Sequence, residues 1–235
     1  MLFRQLFDSE SSTYTYLIAA DCGREAVLID PVKRNLEQYL KLLQQLELKL
    51  VAAMDTHLHA DHITALGELR LKTQCKTMMG QQSLANCVSA KFQDNDVLNF
   101  DGFELKVIYT PGHTDDSYSL LMNDRVFTGD TLFIRGTGRT DFQNGNAGQQ
   151  YDSLQNRLLT LPANTFVYPG HDYNGMTVST IAEENKFNPR LQVGSREEYV
   201  MLMSSLNLPR PKIMDVAVPA NKLCGLEPNS KEGLR

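Results

Sequence analysis

Five histidines and two aspartates carry most of the chemistry open to this 235-residue chain. Three of the histidines and one aspartate lie within His57-Leu58-His59-Ala60-Asp61-His62, where the apolar run Lys49 to Asp55 gives out. A lone histidine is usually a surface or satisfied core residue, but imidazoles and a carboxylate packed this densely form a metal-ligand pattern. The competing reading makes Asp61 the N-cap of a following helix and the histidines polar loop residues. The other two histidines end matching turns, Thr110-Pro111-Gly112-His113 and Tyr168-Pro169-Gly170-His171. Between them, Val126 to Thr128 reads as a strand ending in Gly129-Asp130. Loops after strand ends are where a rigid scaffold presents reactive groups. Donors without thiolate suit Zn, Fe, Mn or Ni, so the ligand types do not choose the metal. Seven potential ligands exceed what one closed structural site needs, and the surplus points to catalysis.

The elements that must hold these groups follow from pattern. Thr13 to Ile18 and Ala26 to Asp30 read as strands, the second stopped by Pro31. A helix opens near Asn35 with Leu36, Tyr39, Leu40, Leu43 and Leu46 on one face, and Lys49 to Asp55 is a buried strand. Further strands are expected over Leu105 to Tyr109, Ser117 to Met122, Val126 to Thr128 and Thr165 to Tyr168. Helices are expected around Gln149 to Leu159, over Thr177 to Lys186, and after the capping box Ser195-Arg196-Glu197-Glu198. Pro209, Pro211 and Pro219 suggest an extended, irregular tail from about residue 208. With no repeat or linker, 1–235 reads as one domain of the α/β class.

Composition narrows the function. At 42% hydrophobic and 22% charged residues the chain is an ordinary globular protein. A net charge of −5 argues against a basic nucleic-acid-binding face, so an anionic substrate must meet a few locally placed cations. Cys22, Cys75, Cys87 and Cys224 lack metal-binding spacing and read as buried free thiols. The N-terminus lacks the apolar core of a signal peptide, and no apolar run approaches the roughly 20 residues that span a bilayer. A cytoplasmic protein is expected, or one of the mitochondrial matrix if a transit peptide has been removed, with no membrane partner.

The set His57-x-His59-x-Asp61-His62, His113, Asp130 and His171 resembles the metallo-β-lactamase superfamily. That resemblance implies an αββα sandwich, two sheets flanked by helices, and, in hydrolytic members, two zinc ions bridged by the aspartate matching Asp130. A longer match is similar to the persulfide dioxygenase family: Ile134-Arg135-Gly136-Thr137-Gly138-Arg139-Thr140-Asp141-Phe142-Gln143, Tyr168 to Tyr173, Asn188-Pro189-Arg190-Leu191 and Val218-Pro219-Ala220-Asn221. It runs essentially from end to end and implies oxidation of glutathione persulfide by dioxygen and water to sulfite and glutathione. It also implies a single Fe(II) per chain, held by His57, His113 and Asp130 with positions left open for substrate sulfur and dioxygen. His59, Asp61, His62 and His171 would then shape the surroundings of the iron through hydrogen bonds or water. Arg139, Tyr173 and Arg190, in the matching segments, are the candidate contacts to glutathione, although Asp141 stands close enough in sequence to pair with Arg139. The expected partners are these substrates, a second copy in a homodimer, and a separate rhodanese supplying persulfide. A dinuclear thioester hydrolase like glyoxalase II is the competing enzyme, and a metal-binding scaffold or sensor the non-enzymatic alternative.

Overall fold

The computed structural model describes residues 1–227. The chain forms two compact units: Met1–Phe92 with Asn99–Glu104 and the residues from Arg210, and Gln93–Leu98 with Leu105–Pro209.

In the first unit six strands lie side by side in chain order: β1 (Leu2–Asp8), β2 (Thr13–Ala19), β3 (Glu25–Ile29), β4 (Lys49–Met54), β5 (Lys76–Gly80) and β6 (Ala90–Phe92). β1 to β3 are antiparallel and β3 to β6 parallel. The apolar runs of β3 and β4 suit the middle of such a sheet, where both faces are covered. Helix α1 (Leu36–Gln45) buries Leu36, Tyr39 and Leu43, the face expected from their spacing. Asn35 stands at its N-cap, but its side chain donates to Asp8 Oδ1 at 3.2 Å instead of capping. Helix α2 (Leu66–Thr73) has Ala65 as its N-cap, so Asp61 is not a helix cap.

The second unit is built on β7 (Val97–Phe100), β8 (Phe103–Tyr109), β9 (Tyr118–Met122), β10 (Arg125–Gly129), β11 (Phe166–Pro169) and β12 (Ser179–Thr180), ordered β12-β11-β10-β9-β8-β7. The tip of the β7–β8 hairpin is counted with the first unit. Only β10 and β11, among the pairings described, run parallel. Its helices are α3 (Ala147–Ser153), between β10 and β11 and continued by a wider turn over Leu154–Leu158, then α4 (Ile181–Phe187) and α5 (Arg196–Ser204) after β12. Asn146, Thr180 and Ser195 cap them by accepting from the N–H three residues on. The helix expected from Thr177 starts four residues later because Ser179 and Thr180 pair with β11. Val126, Val167, Leu154, Leu158, Ile181, Tyr199 and Met203 form the core.

The C-terminal segment departs from expectation. In place of an irregular tail it forms α6 (Met214–Asn221), with Pro219 inside the helix and Ala217 and Asn221 buried. Cys224 is bonded to Cys87, so the expectation of four free buried thiols fails for that pair and for Cys22, which is exposed; Cys75 is free and buried. No helix among the described residues is long and apolar enough to cross a membrane.

Candidate metal centre

In the first unit the parallel pairing of β3 with β4 sets Ile29 opposite Met54, so Asp30 and the Asp55-Thr56-His57 segment leave adjacent strand ends together. Asp30 is buried and its backbone is left-handed, φ 51°, an unusual conformation for a residue with a side chain. Its carboxylate accepts from the Thr56 N–H at 2.7 Å and the Thr56 hydroxyl at 3.1 Å, and meets His59 Nε2 at 3.1 Å. These contacts fix a tautomer. The Thr56 hydroxyl gives its one proton to Asp30, so at 3.0 Å it can only accept from His57 Nδ1, and His57 Nε2 keeps its lone pair for a metal.

His57, His59 and His62 are essentially fully buried, with His59 at ring-centroid distances of 4.2 Å from both neighbours. His59 Nδ1 has no hydrogen-bond partner among the described residues. Burial disfavours its imidazolium, yet the carboxylates of Asp30, Asp55 and Asp61 outweigh that cost and push it up to about 9. Three carboxylates around buried imidazoles make a pocket whose charge suits a cation. One donor atom each from His59, Asp61 and His62 lies within 4.8 Å of the others.

Asn221 holds this loop from behind. Its Nδ2 donates to the carbonyls of His59 and His62, both at 2.9 Å, and its Oδ1 accepts from the Thr64 N–H at 2.9 Å. Asn221→Ala leaves three buried backbone groups without partners, and a loss of about 3 kcal/mol in unfolding free energy by urea denaturation is expected. An unchanged midpoint would mean the loop does not depend on α6.

In the second unit His113 follows β8 at a turn where Gly112 adopts φ 142° and a Cβ would lie 2.3 Å from Gln150. His113 Nδ1 donates to the Arg139 carbonyl at 2.7 Å, so the ring's lone pair lies on Nε2, 3.4 Å from Asp130 Oδ2. Asp130, 7% exposed at the end of β10, accepts at Oδ1 from His171 Nδ1 at 2.7 Å. The parallel β10–β11 pairing delivers both, with the Gly170 N–H on the Gly129 carbonyl. A carboxylate between two imidazoles, one with its lone pair turned inward, is a donor set suited to a divalent metal.

Of the expected substrate contacts, Tyr173 is 70% exposed, its ring stacked 6.0 Å from His171. The Arg139 guanidinium pairs with both oxygens of Asp141, at 2.6 and 2.8 Å, and donates to the Pro209 carbonyl. That hydrogen bond holds the Asp141 carboxyl below its usual range. Arg139 also lines a cleft of about 280 Å³ with Asp141, Val200, Met203 and Leu208. Arg190 is partly buried, which lowers its guanidinium, and it donates to the carbonyl and hydroxyl of Thr137. Tyr199 and Gln150 brace the same loop: the Tyr199 hydroxyl meets Thr137 Oγ1 and Gln150 Oε1, and Gln150 Nε2 donates to the Gly138 carbonyl. Asp30, Thr56 and Asn221 were not singled out for these positions by sequence. The signals were Asp30 between an apolar run and Pro31, and Asn221 at the end of a segment that resembles the family.

The chain matches the metallo-beta-lactamase superfamily over residues 9–86 and 88–171. Over 230 residues, 97% of this chain and 90% of the relative, it is 46% identical to a mouse protein named persulfide dioxygenase ETHE1, mitochondrial. The crystal structure of ETHE1 from Myxococcus xanthus superposes with a TM-score of 0.94 at 55% identity, covering 96% of this chain and all of the other. A probable hydroxyacylglutathione hydrolase of Schizosaccharomyces pombe is 33% identical, over 86% of this chain and 90% of the relative.

Proposed function

We infer the function from the premise that this chain belongs to the metallo-beta-lactamase superfamily, with its fold of two mixed sheets flanked by helices, and within it to the persulfide dioxygenases. Its reaction is the oxidation of a persulfide, glutathione persulfide in our reading, by dioxygen and water to sulfite and the thiol. The observation that carries this is the similarity along 97% of the chain at 46% identity, against 33% for the probable thioester hydrolase. Residues 1–235 are read as one functional domain, since the superfamily match runs through both compact units.

The metal in this reading is one Fe(II), held by His57, His113 and Asp130. Two features support it: both imidazoles have Nδ1 committed and Nε2 left as a donor, and Asp130 supplies a buried charge. When bound, the iron supplies dioxygen activation beside the substrate sulfur. The protein's own part is to fix ligand tautomers, through Asp30 and Thr56 for His57 and through the Arg139 carbonyl for His113, and to orient Asp130 through His171.

Arg139 links ligand and substrate. Its carbonyl fixes His113 while its guanidinium lines the cleft, where a carboxylate of glutathione would replace Asp141 on the guanidinium or share the guanidinium with it. Tyr173 and Arg190 complete the proposed contacts, Arg190 by bracing the loop that carries Arg139. Arg139→Ala is expected to raise KM for glutathione persulfide roughly 10-fold with iron content unchanged, because the backbone carbonyl on His113 remains. Loss of iron in that variant would assign the guanidinium a structural role instead. Failure to turn over S-lactoylglutathione, assayed on the same preparation, separates this reading from a glyoxalase II-like hydrolase. A homodimer and a separate rhodanese remain the proposed partners, and cytoplasm or mitochondrial matrix the proposed compartment.

A further inference from the structure

Helix α6 carries Asn221 to the histidine loop, yet little of the helix is anchored. Of its eight residues only Ala217 and Asn221 are buried. The segment leading into it, 206–213, has neither helix nor strand and is mostly exposed. An element with so few buried contacts opens locally at a free energy far below that of global unfolding. What bolts it down lies just past its end, where Cys224 is bonded to Cys87 in the loop between β5 and β6. The Cys224 carbonyl accepts from the Gly67 N–H at 2.9 Å, and the Gly225 carbonyl accepts from Lys33 Nζ. Cys224 and Gly225 adopt φ 56° and 74°, a left-handed conformation that a cysteine keeps only in fixed surroundings.

The two ends of the bond differ in access. Cys224 is fully buried and Cys87 only partly, so Cys87 Sγ is the sulfur that a small thiolate reaches. The Arg70 guanidinium donates to the Cys87 carbonyl and sets a positive charge beside that anionic reagent. Attack at Cys87 breaks the Cys87–Cys224 bond and forms a mixed disulfide, while Cys224 leaves as a thiolate and takes up a proton. A second thiol attacks the outer sulfur of the mixed disulfide, frees Cys87 and departs as the small disulfide. Two small thiols are thereby oxidised by two electrons, the protein disulfide is reduced by two, and each thiol proton ends on a protein cysteine. Glutathione, the thiol product in the proposed reaction, is a reagent of this class.

We propose that the Cys87–Cys224 disulfide is a thiol-sensitive latch on the metal site: closed, it holds Asn221 on the histidine loop, and its reduction by low-molecular-weight thiols lets α6 lift and slackens that loop. The proposal rests on the preceding reading for its iron and its compartment. In cytoplasm or matrix, where small thiols are abundant, a disulfide is more often a redox sensor than a permanent staple. The path from bond to loop is short. Asn221, three residues before Cys224, makes the three hydrogen bonds to the His59 and His62 carbonyls and the Thr64 N–H. Past the helix, a Cβ on Gly225 would lie 2.2 Å from the Thr64 carbonyl oxygen, so both sides of Cys224 pack on the same loop. The cross-link denies the opened segment its conformational freedom, and cutting it raises the open population.

The test uses the full chain, oxidised or reduced. Thiols counted under denaturing conditions are expected to number two in the oxidised protein, Cys22 and Cys75, and four after equilibration with millimolar glutathione. Hydrogen exchange, with and without iron, then follows the Thr64 amide, which is expected to exchange roughly 10-fold faster once the bond is reduced, while the amides of β3 and β4 keep their rates. Fe(II) release to a chromophoric chelator under argon, after glutathione is removed, is expected to rise by roughly 10-fold or more. Cys87→Ser should match the reduced protein in both rates and be indifferent to glutathione; if it does not fold, reduced native protein carries the test. Four thiols in protein purified without reductant, or two that persist in millimolar glutathione, overturn the proposal. So does Thr64 exchange that is unchanged on reduction, exchange raised equally in β3 and β4, or iron release that is the same in both states. Protein that takes up no Fe(II) in either state, while Thr64 responds as expected, overturns the iron reading and upholds the latch on the loop.

Discussion

Asp130→Asn is expected to yield a folded protein that holds almost no iron. The substitution keeps the shape of the side chain and can still accept from His171 Nδ1 through the remaining oxygen, so the local packing survives. What changes is the atom facing His113 Nε2. There the carboxylate offers Oδ2, and asparagine would offer an amide nitrogen with no lone pair for a metal. Replacement of groups that merely orient ligands costs about 10- to 100-fold in metal affinity, and loss of a charged ligand should exceed that range. Iron content by elemental analysis and the dissociation constant by chelator competition measure the effect directly. Retention of about one iron per chain would remove Asp130 from the ligand set.

The second large effect is expected at a residue with no side chain. Gly138 passes beneath His113 and Asp130, where a Cβ would lie 2.0 Å from the Asp130 carbonyl oxygen and 2.9 Å from His113 Nδ1. Its N–H donates to that same carbonyl, so the contact cannot open without losing the hydrogen bond. Gly138→Ala must push the 136–138 loop away against Arg190, Tyr199 and Gln150, or displace Asp130 and His113. Overpacking of this kind costs about 3 kcal/mol or more where backbone is the obstacle. The expected result is a lower urea midpoint together with loss of iron, since the strain falls on two proposed ligands at once. Native stability with full iron content would show that the loop yields easily.

The site residues were legible in the sequence because their density and turn settings were unusual: every histidine lay either in the 57–62 run or after a Pro-Gly turn. The strands that deliver them were legible for the same reason, being short apolar runs that end at those turns. What sequence did not reveal are the groups that hold these side chains. Asp30 is 27 residues before His57, and only the parallel pairing of β3 with β4 makes them neighbours. Asn221 lies in a segment whose three prolines suggested an extended tail, yet Pro219 sits inside a short helix whose last residue reaches the histidine loop. Such roles depend on contacts between residues far apart in the chain, which periodicity does not record. Arg190 illustrates the converse: its setting in a family segment was visible, while its hydrogen bonds to Thr137 were not.

In the proposed chemistry a single Fe(II) in this chain lets it oxidise a persulfide with dioxygen. Oxygen uptake and sulfite formation should be followed together on protein of known iron content supplied with glutathione persulfide. One dioxygen consumed and one sulfite formed per persulfide are expected, at a rate proportional to bound iron up to one per chain. Iron-loaded protein that consumes no oxygen with this substrate, or whose rate is independent of its iron content, would contradict it.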